Sequence, residues 1–83
     1  MGSVVEAMKV KEVMARVFGV EVAAIGDDAS PDTIENWDSL RHMNLVLAIE
    51  EEFGIELTDE QTVEILSYPL IKIVLQEHGV ELR

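Results

Sequence analysis

The sequence predicts an all-α fold, a small four-helix bundle with a long loop between the first and second helices. Apolar residues recur at helical spacing in four segments, and capping residues, glycine or proline separate these segments. The 83 residues are 48% hydrophobic, which suffices for one small packed core and argues against a disordered chain. We therefore expect a single domain over residues 1–83, with helices at about residues 3–18, 38–53, 59–66 and 69–78.

The first helix is expected to begin at a capping box, in which Ser3 is the N-cap and Glu6 reaches back to it. Gly19 can adopt the positive φ that commonly ends a helix. The apolar stripe that we expect to face the core consists of Val10, Val13, Met14 and Val17.

The connection over residues 19–37 is rich in Gly, Asp, Ser, Pro and Asn, which are turn-forming residues. A connection this long in so small a domain is expected to be pinned or functional, and we expect Trp37 to anchor it. Its acids invite comparison with a calcium-binding loop, which needs a glycine at its sixth position. A loop starting at Asp28 has Thr33 there, so an EF-hand is rejected, while weak binding of a divalent ion stays open.

The second helix follows a strong start signal. Asp38 is a good N-cap, because its carboxylate can accept from backbone N–H groups that lack an intrahelical partner. Ser39 then lies at the very start of the helix, where a partner can reach its hydroxyl, and Gly54 can end the helix. The residues expected to form its apolar face are Leu40, Met43, Val46 or Leu47, Ile49 and Phe53.

The two remaining helices are shorter. Thr58 and Gln61 form a second capping box at the start of the third helix. Pro69 is best placed in the first turn of the fourth helix, and Gly79 ends that helix. We expect residues 80–83 to pack partly or to fray. The third helix is expected to turn three residues inward: Val63, Ile65 and Leu66.

The chain is strongly acidic, with a net charge of −11. Nucleic acid and anionic membrane surfaces both attract Lys and Arg, so this charge argues against either partner. Residues 27–64 contain twelve acids and one base, Arg41, so the middle of the chain should attract basic protein surfaces. We expect no membrane span, no signal peptide, no metal site and a cytoplasmic location, which suits a chain without cysteine.

A family resemblance rests on the start and end of the second helix. Trp-Asp-Ser-Leu at residues 37–40 opens an amphipathic helix that ends Glu-Glu-Glu-Phe-Gly-Ile at residues 50–55. This arrangement resembles the acyl carrier proteins, and the resemblance extends over nearly the whole chain. The Asp-Ser-Leu tripeptide alone is a weak signal, but with this helix, spacing and chain length it becomes a strong one.

The resemblance implies a carrier and not an enzyme. In the family, the serine that matches Ser39 holds 4′-phosphopantetheine through a phosphodiester, and a separate phosphopantetheinyl transferase attaches the group from coenzyme A. The arm ends in a thiol that carries acyl groups as thioesters. Asp38 would serve both as N-cap and as part of the transferase motif, while Leu40 would pack or lie at the rim of the acyl-chain pocket.

Partner enzymes of the family use Arg and Lys to grip the acidic end of the second helix. The matching residues are Glu50, Glu51 and Glu52, and Glu56 would extend this patch. Leu47 is either an exposed contact for partners or a core residue. Arg41 could pair with the phosphate of the arm or with an acidic partner. The partners implied are the transferase and acyl-loading, condensing or acyl-transfer enzymes with basic surfaces, and we expect a monomer.

Arg41, Asn44 and Trp37 depart from the pattern of carriers in fatty acid synthesis, and they look more like free-standing carriers of specialised bacterial pathways. The cargo could therefore belong to fatty acid, polyketide or related lipid biosynthesis. One alternative is a peptidyl or aryl carrier of a nonribosomal peptide system. Another is an unmodified helical adaptor that binds a basic partner. His42 is isolated in sequence and is expected to be a surface or rim residue.

Overall fold

The computed structural model describes residues 4–5 and 7–82, and within them it has the predicted all-α architecture with four helices. The capping box predicted at Ser3 and Glu6 lies outside the described residues. The elements in chain order are β1 (Val4–Val5), α1 (Ala7–Phe18), a 3₁₀ turn (Val22–Ala24), α2 (Ser39–Phe53), α3 (Asp59–Glu64), α4 (Tyr68–Glu77) and β2 (Glu81–Leu82).

The first helix begins later than predicted, at Ala7 instead of residue 3. Val4 and Val5 pair in parallel with Glu81 and Leu82, forming a two-residue ladder between the two ends of the chain. The ladder satisfies backbone groups that a longer helix would otherwise have used, and two consecutive β-branched residues favour the extended form. The prediction of a helix over residues 3–18 was therefore wrong at its first turn.

The core lies among α1, α2 and α4. The α1 stripe is as predicted, except that Val17 is half-buried at the edge of the core. On α2 the prediction was partly wrong, because Leu40 and Met43 are exposed while Leu45 is buried. The principal core residues are Val10, Val13, Met14 and Phe18 from α1, Leu45, Val46 and Ile49 from α2, and Ile71, Val74 and Leu75 from α4.

The third helix contributes less to the core than predicted. It ends at Glu64, and only Ile65 of the three residues expected to face inward is buried. Val63 is 66% exposed and Leu66 is 47% exposed. A helix of six residues presents too little surface to bury a full stripe, so the part of α3 that follows its capping box remains on the surface.

The helix ends follow the sequence signals closely. Asp38, Thr58 and Ser67 are N-caps whose side chains each accept a backbone N–H, and Thr58 completes its capping box with Gln61. Gly54 ends α2 with a φ of 65°. The predictions for Asp38, Thr58 and Gly54 succeeded because a helix end depends on residues only a few positions apart, whereas the cap at Ser67 was not predicted.

The long loop between α1 and α2 is pinned, as expected. Lys11 on α1 forms an ion pair of 2.7 Å with Asp27, and the backbone N–H of Tyr68 donates to the carbonyl of Ala29 at 2.8 Å. The ammonium groups of Lys11 and Lys72 lie 5.0 and 4.6 Å from the centre of the Tyr68 ring. These contacts fix the loop that leads to α2, although Asp27 itself remains exposed.

None of the helices in the described part of the chain is both long enough and apolar enough to cross a membrane.

Candidate functional site

Ser39 is the first residue of α2 and is exposed. The preceding residue, Asp38, has extended backbone angles and uses Oδ1 to accept the N–H of Arg41 at 2.8 Å. The predicted N-cap is therefore confirmed. The cap satisfies one free donor of the first turn and leaves the Ser39 side chain at the positive end of the helix dipole.

A shallow groove of about 540 Å³ is lined by residues from the start of α2 and from the end of α3, and Ser39 is one of them. Most of its surface is apolar, although Asp38 and Ser39 contribute polar groups. The side chains that shape the rest of it are Pro31, Trp37, His42, Met43, Val63 and Leu66. The two exposed side chains of Val63 and Leu66 therefore belong to the candidate site, since both line the same groove as Ser39.

His42 joins three parts of this site. Its Nδ1 accepts the indole N–H of Trp37 at 3.0 Å, and its Nε2 lies 2.6 Å from the carbonyl oxygen of Thr62. Trp37 is 8% exposed and its ring lies 4.8 Å from the ring of Phe18, centre to centre. Trp37 is the loop anchor that the sequence predicted, whereas the bridging role of His42 was missed. The sequence did contain a signal for this contact: a Trp lies just before the predicted helix start, and a His follows five positions later.

Arg41 makes a contact that the sequence did not reveal. Its Nη1 donates to the carbonyl of Val17 at 2.9 Å, and the Asn36 amide donates to the neighbouring carbonyl of Phe18 at 3.0 Å. Together these side chains satisfy two terminal carbonyls of α1. Arg41 therefore stabilises the junction between α1 and the start of α2, and its role towards a partner or a phosphate stays a prediction.

The predicted acidic patch divides into two kinds of residue. Glu52 forms ion pairs with Lys9 at 2.6 Å and Arg16 at 3.5 Å, and its hydrogen bond with Lys9 lowers the pKa of Glu52. Glu50 accepts the backbone N–H of Leu57 at 2.9 Å. Glu52 therefore ties α2 to α1, and Glu50 holds the turn that follows α2.

The other two acids of the patch, Glu51 and Glu56, are exposed. Leu47 is also exposed, at 55%, so of the two alternatives the structure supports a surface position over a core position. Leu40 is 71% exposed and is not part of the groove lining. Leu40, Met43 and Leu47 follow one another along the outside of α2 at helical spacing. We call these three residues the outer stripe.

The described residues include no group of three or more His, Asp or Glu side chains able to hold a metal ion. Asp27, one of the acids considered for calcium, instead pairs with Lys11, and that hydrogen bond lowers the pKa of Asp27.

These features define a class of protein: a small helical domain with an exposed serine at a helix N-terminus beside an apolar groove. Residues 9–67 match the family described as "Phosphopantetheine attachment site". The chain is 41% identical over 59 residues to the acyl carrier protein of Solidesulfovibrio magneticus. This matched segment covers 71% of this chain and 76% of that relative. The chain belongs to the acyl carrier protein family, whose members are carriers and hold a covalently attached 4′-phosphopantetheine group.

The residues near Ser39 fit such a group. A helix N-terminus favours a phosphate, because its N–H groups and dipole offer positive potential. The groove that Ser39 helps to line offers an apolar surface for the methyl and methylene groups of an arm. Ser39 is exposed, so a second protein can reach its hydroxyl.

Proposed function

We propose that Ser39 is the attachment point of 4′-phosphopantetheine and that this protein shuttles acyl groups between enzymes. The observation that supports this most directly is the position of Ser39. It is an exposed hydroxyl at the first residue of a capped helix, and it lies within the segment that matches the phosphopantetheine family. When attached, the group supplies a thiol that holds acyl intermediates as thioesters.

Each neighbouring residue has a defined task in this proposal. Asp38 holds the first turn of α2 in place, so the Ser39 hydroxyl is presented from a fixed backbone. The dipole of α2 stabilises the negative charge of a phosphodiester at Ser39. No described histidine or carboxylate makes a hydrogen bond to Ser39 that would activate it as a nucleophile. Activation therefore belongs to a separate transferase. The Ser39 oxygen loses its proton and bonds to the phosphorus next to the pantetheine of coenzyme A, and the pyrophosphate P–O bond breaks so that 3′,5′-ADP leaves.

We further propose that partner enzymes with basic surfaces dock along α2. The outer stripe supplies an apolar contact, and Glu51 and Glu56 supply charges that make no internal ion pair in the described structure. Glu50 and Glu52 add to the local negative potential while they hold the fold together. Arg41, at the start of α2, would add a positive charge to this acidic docking surface.

The strongly negative charge favours acyl cargo over peptidyl or aryl cargo in this proposal. Arg41, Asn44 and Trp37 favour a specialised pathway, such as a polyketide or related lipid pathway, over primary fatty acid synthesis. We place the carrier in the cytoplasm as a monomer, a location that suits a chain without cysteine.

Intact-protein mass spectrometry tests the attachment. The native protein and Ser39→Ala are incubated with coenzyme A, magnesium and a broad-specificity phosphopantetheinyl transferase. We expect a mass gain of one phosphopantetheine in the native chain and none in Ser39→Ala. A folded native protein that gains no mass would refute the attachment and favour the unmodified adaptor, while a gain in both chains would move the site away from Ser39.

A further inference from the structure

The two hydrogen bonds of His42 assign its tautomer. The indole nitrogen of Trp37 can only donate, so Nδ1 of His42 must be an acceptor. The carbonyl of Thr62 can only accept, so Nε2 must carry the proton. Both contacts are satisfied together by one form of the ring, the neutral imidazole protonated on Nε2.

The contact with Thr62 fixes the end of α3. A helix leaves its last carbonyls without intrahelical partners. In α3 the N–H of Leu66, which would reach the Thr62 carbonyl in a longer helix, donates to the carbonyl of Glu64 at 2.8 Å. Nε2 of His42 bonds to the Thr62 carbonyl instead, and this bond joins the first turn of α2 directly to the last turn of α3.

The same ring links two parts of the groove lining, and His42 lines the groove itself. On one side Nε2 contacts Thr62, whose neighbour Val63 lines the groove, as does Leu66 just beyond the end of α3. On the other side Nδ1 contacts Trp37, which also lines the groove. A change at either nitrogen should therefore move one side of the groove and leave the other in place.

We propose that His42 is a positioning residue: by holding Trp37 and the end of α3 together, it sets the width of the groove beside Ser39. The inference rests on the proposed attachment at Ser39. Because Ser39 is itself a lining residue, an arm attached to it would lie next to the mostly apolar side chains of the groove. His42 acts on the arm through Trp37 and α3, and takes no part in making the phosphodiester.

Two substitutions separate the two bonds. His42→Asn places an amide oxygen close to the position of Nδ1, so it keeps an acceptor for Trp37 and loses the donor to Thr62. His42→Gln places an amide N–H close to the position of Nε2, so it keeps a donor to Thr62 and loses the acceptor for Trp37. His78→Gln is the matched control, because His78 contacts Gln61 at 2.8 Å and does not line the groove.

NMR of the unmodified and the modified full-length protein provides the readout. The chain has a single tryptophan, so its indole N–H gives one signal. We expect the imidazole nitrogens of His42 to report the Nε2-protonated tautomer. On modification, the Trp37 indole and the amides of Val63 and Leu66 should shift. In His42→Gln the indole hydrogen should exchange roughly tenfold faster, whereas His42→Asn should perturb mainly Val63 and Leu66. His78→Gln should behave as the native chain does.

The outcomes distinguish this inference from the proposed function. If mass spectrometry shows the arm on Ser39 while the groove signals stay unchanged, the inference falls and the attachment stands. An Nδ1-protonated His42 would also overturn the inference. If the native chain takes up no arm, both proposals fall. Should both His42 variants unfold, the tautomer and the shifts of the native protein decide the matter alone.

Discussion

At the scale of single residues, the start of α2 shows how a side chain can serve the fold and the site together. The Asp38 carboxylate accepts the N–H of Arg41, so the acid beside Ser39 is already engaged before any partner arrives. Arg41 in turn holds the last turn of α1 through the Val17 carbonyl. Substitutions near Ser39 therefore need a stability measurement before any loss of modification is attributed to recognition.

The cap at Asp38 gives the first prediction. Asp38→Ala removes the side-chain acceptor of the first turn, so we expect a loss of about 1 kcal/mol in the free energy of unfolding. Asp38→Asn keeps an oxygen that can accept the same N–H and should lose much less. Urea denaturation followed by circular dichroism measures both. Equal losses in the two variants would show that the negative charge, and not the hydrogen bond, is what stabilises this turn.

The limit of sequence reasoning is clear at this scale. Asp38 and Ser39 were placed correctly, because a cap and a helix start depend on neighbouring residues. The partner of Arg41 lies 24 positions away, and the partner of His42 on α3 lies 20 positions away. Such contacts depend on how the helices pack, which the local pattern does not specify. For the same reason the sequence did not show that Glu52 forms ion pairs with α1 while Glu51 stays exposed.

At the scale of elements, the helix ends were predictable and the exposed faces were less so. The crowded apolar run on α2 contains both the core residue Leu45 and the exposed Leu47, because more apolar residues are present than one face can bury. The predicted helical turn before Ala7 was wrong because Val4 and Val5 pair with residues at the other end of the chain. A capping signal depends on neighbouring residues, so it carries no information about pairing with a strand at the other end of the chain.

The end of α2 gives the second prediction. Gly54 has a φ of 65°, and a Cβ there would meet no atom within 4 Å, so only backbone strain opposes a side chain. We expect Gly54→Ala to lower the free energy of unfolding by about 1 kcal/mol. Gly54→Asn should lower it less, because Asn tolerates this left-handed conformation better. Thermal unfolding of the three proteins provides the comparison, and equal stability of the Ala and Asn variants would contradict it.

The contact between α1 and α2 gives the third prediction, which concerns pH. The hydrogen bond from Lys9 lowers the pKa of Glu52 in the folded protein below that of the unfolded chain. The stabilisation is therefore fully present above the unfolded pKa, near 4.3 for a free glutamate, and disappears as the pH falls through the folded pKa. Glu52→Gln should destabilise the protein at pH 7, and the difference should shrink as the pH falls through the lowered pKa of Glu52.

Glu51→Gln is the matched control for this comparison. It removes the same charge from the neighbouring position, but Glu51 is exposed and is in none of the described ion pairs. Unfolding by urea across the pH range should show Glu52→Gln below Glu51→Gln at neutral pH, with the two curves meeting in acid. Parallel curves at every pH would mean that the ion pairs of Glu52 with Lys9 and Arg16 do not stabilise the fold.

At the scale of the whole molecule, the net charge of −11 acts in two opposite ways. In the proposed function it draws basic partners towards the protein, and it also makes the folded chain repel itself. The described structure has three ion pairs, all at the surface, which offset only a small part of this repulsion. Added salt should therefore stabilise the folded protein and, at the same time, weaken its association with basic partners.

The fourth prediction tests this balance with added sodium chloride. Screening shortens the reach of charge to about 8 Å at physiological ionic strength, so repulsion among the acids should fade and the melting temperature should rise. Over the same range the kcat/KM of the transferase for this protein should fall if, as proposed, charge steers the association of the two proteins. The double variant Glu51→Gln with Glu56→Gln lowers the net charge from −11 to −9 without touching a described ion pair, so both trends should flatten. A melting temperature that falls with salt would show that the surface ion pairs outweigh the repulsion, and a kcat/KM indifferent to salt would place docking on the apolar outer stripe alone.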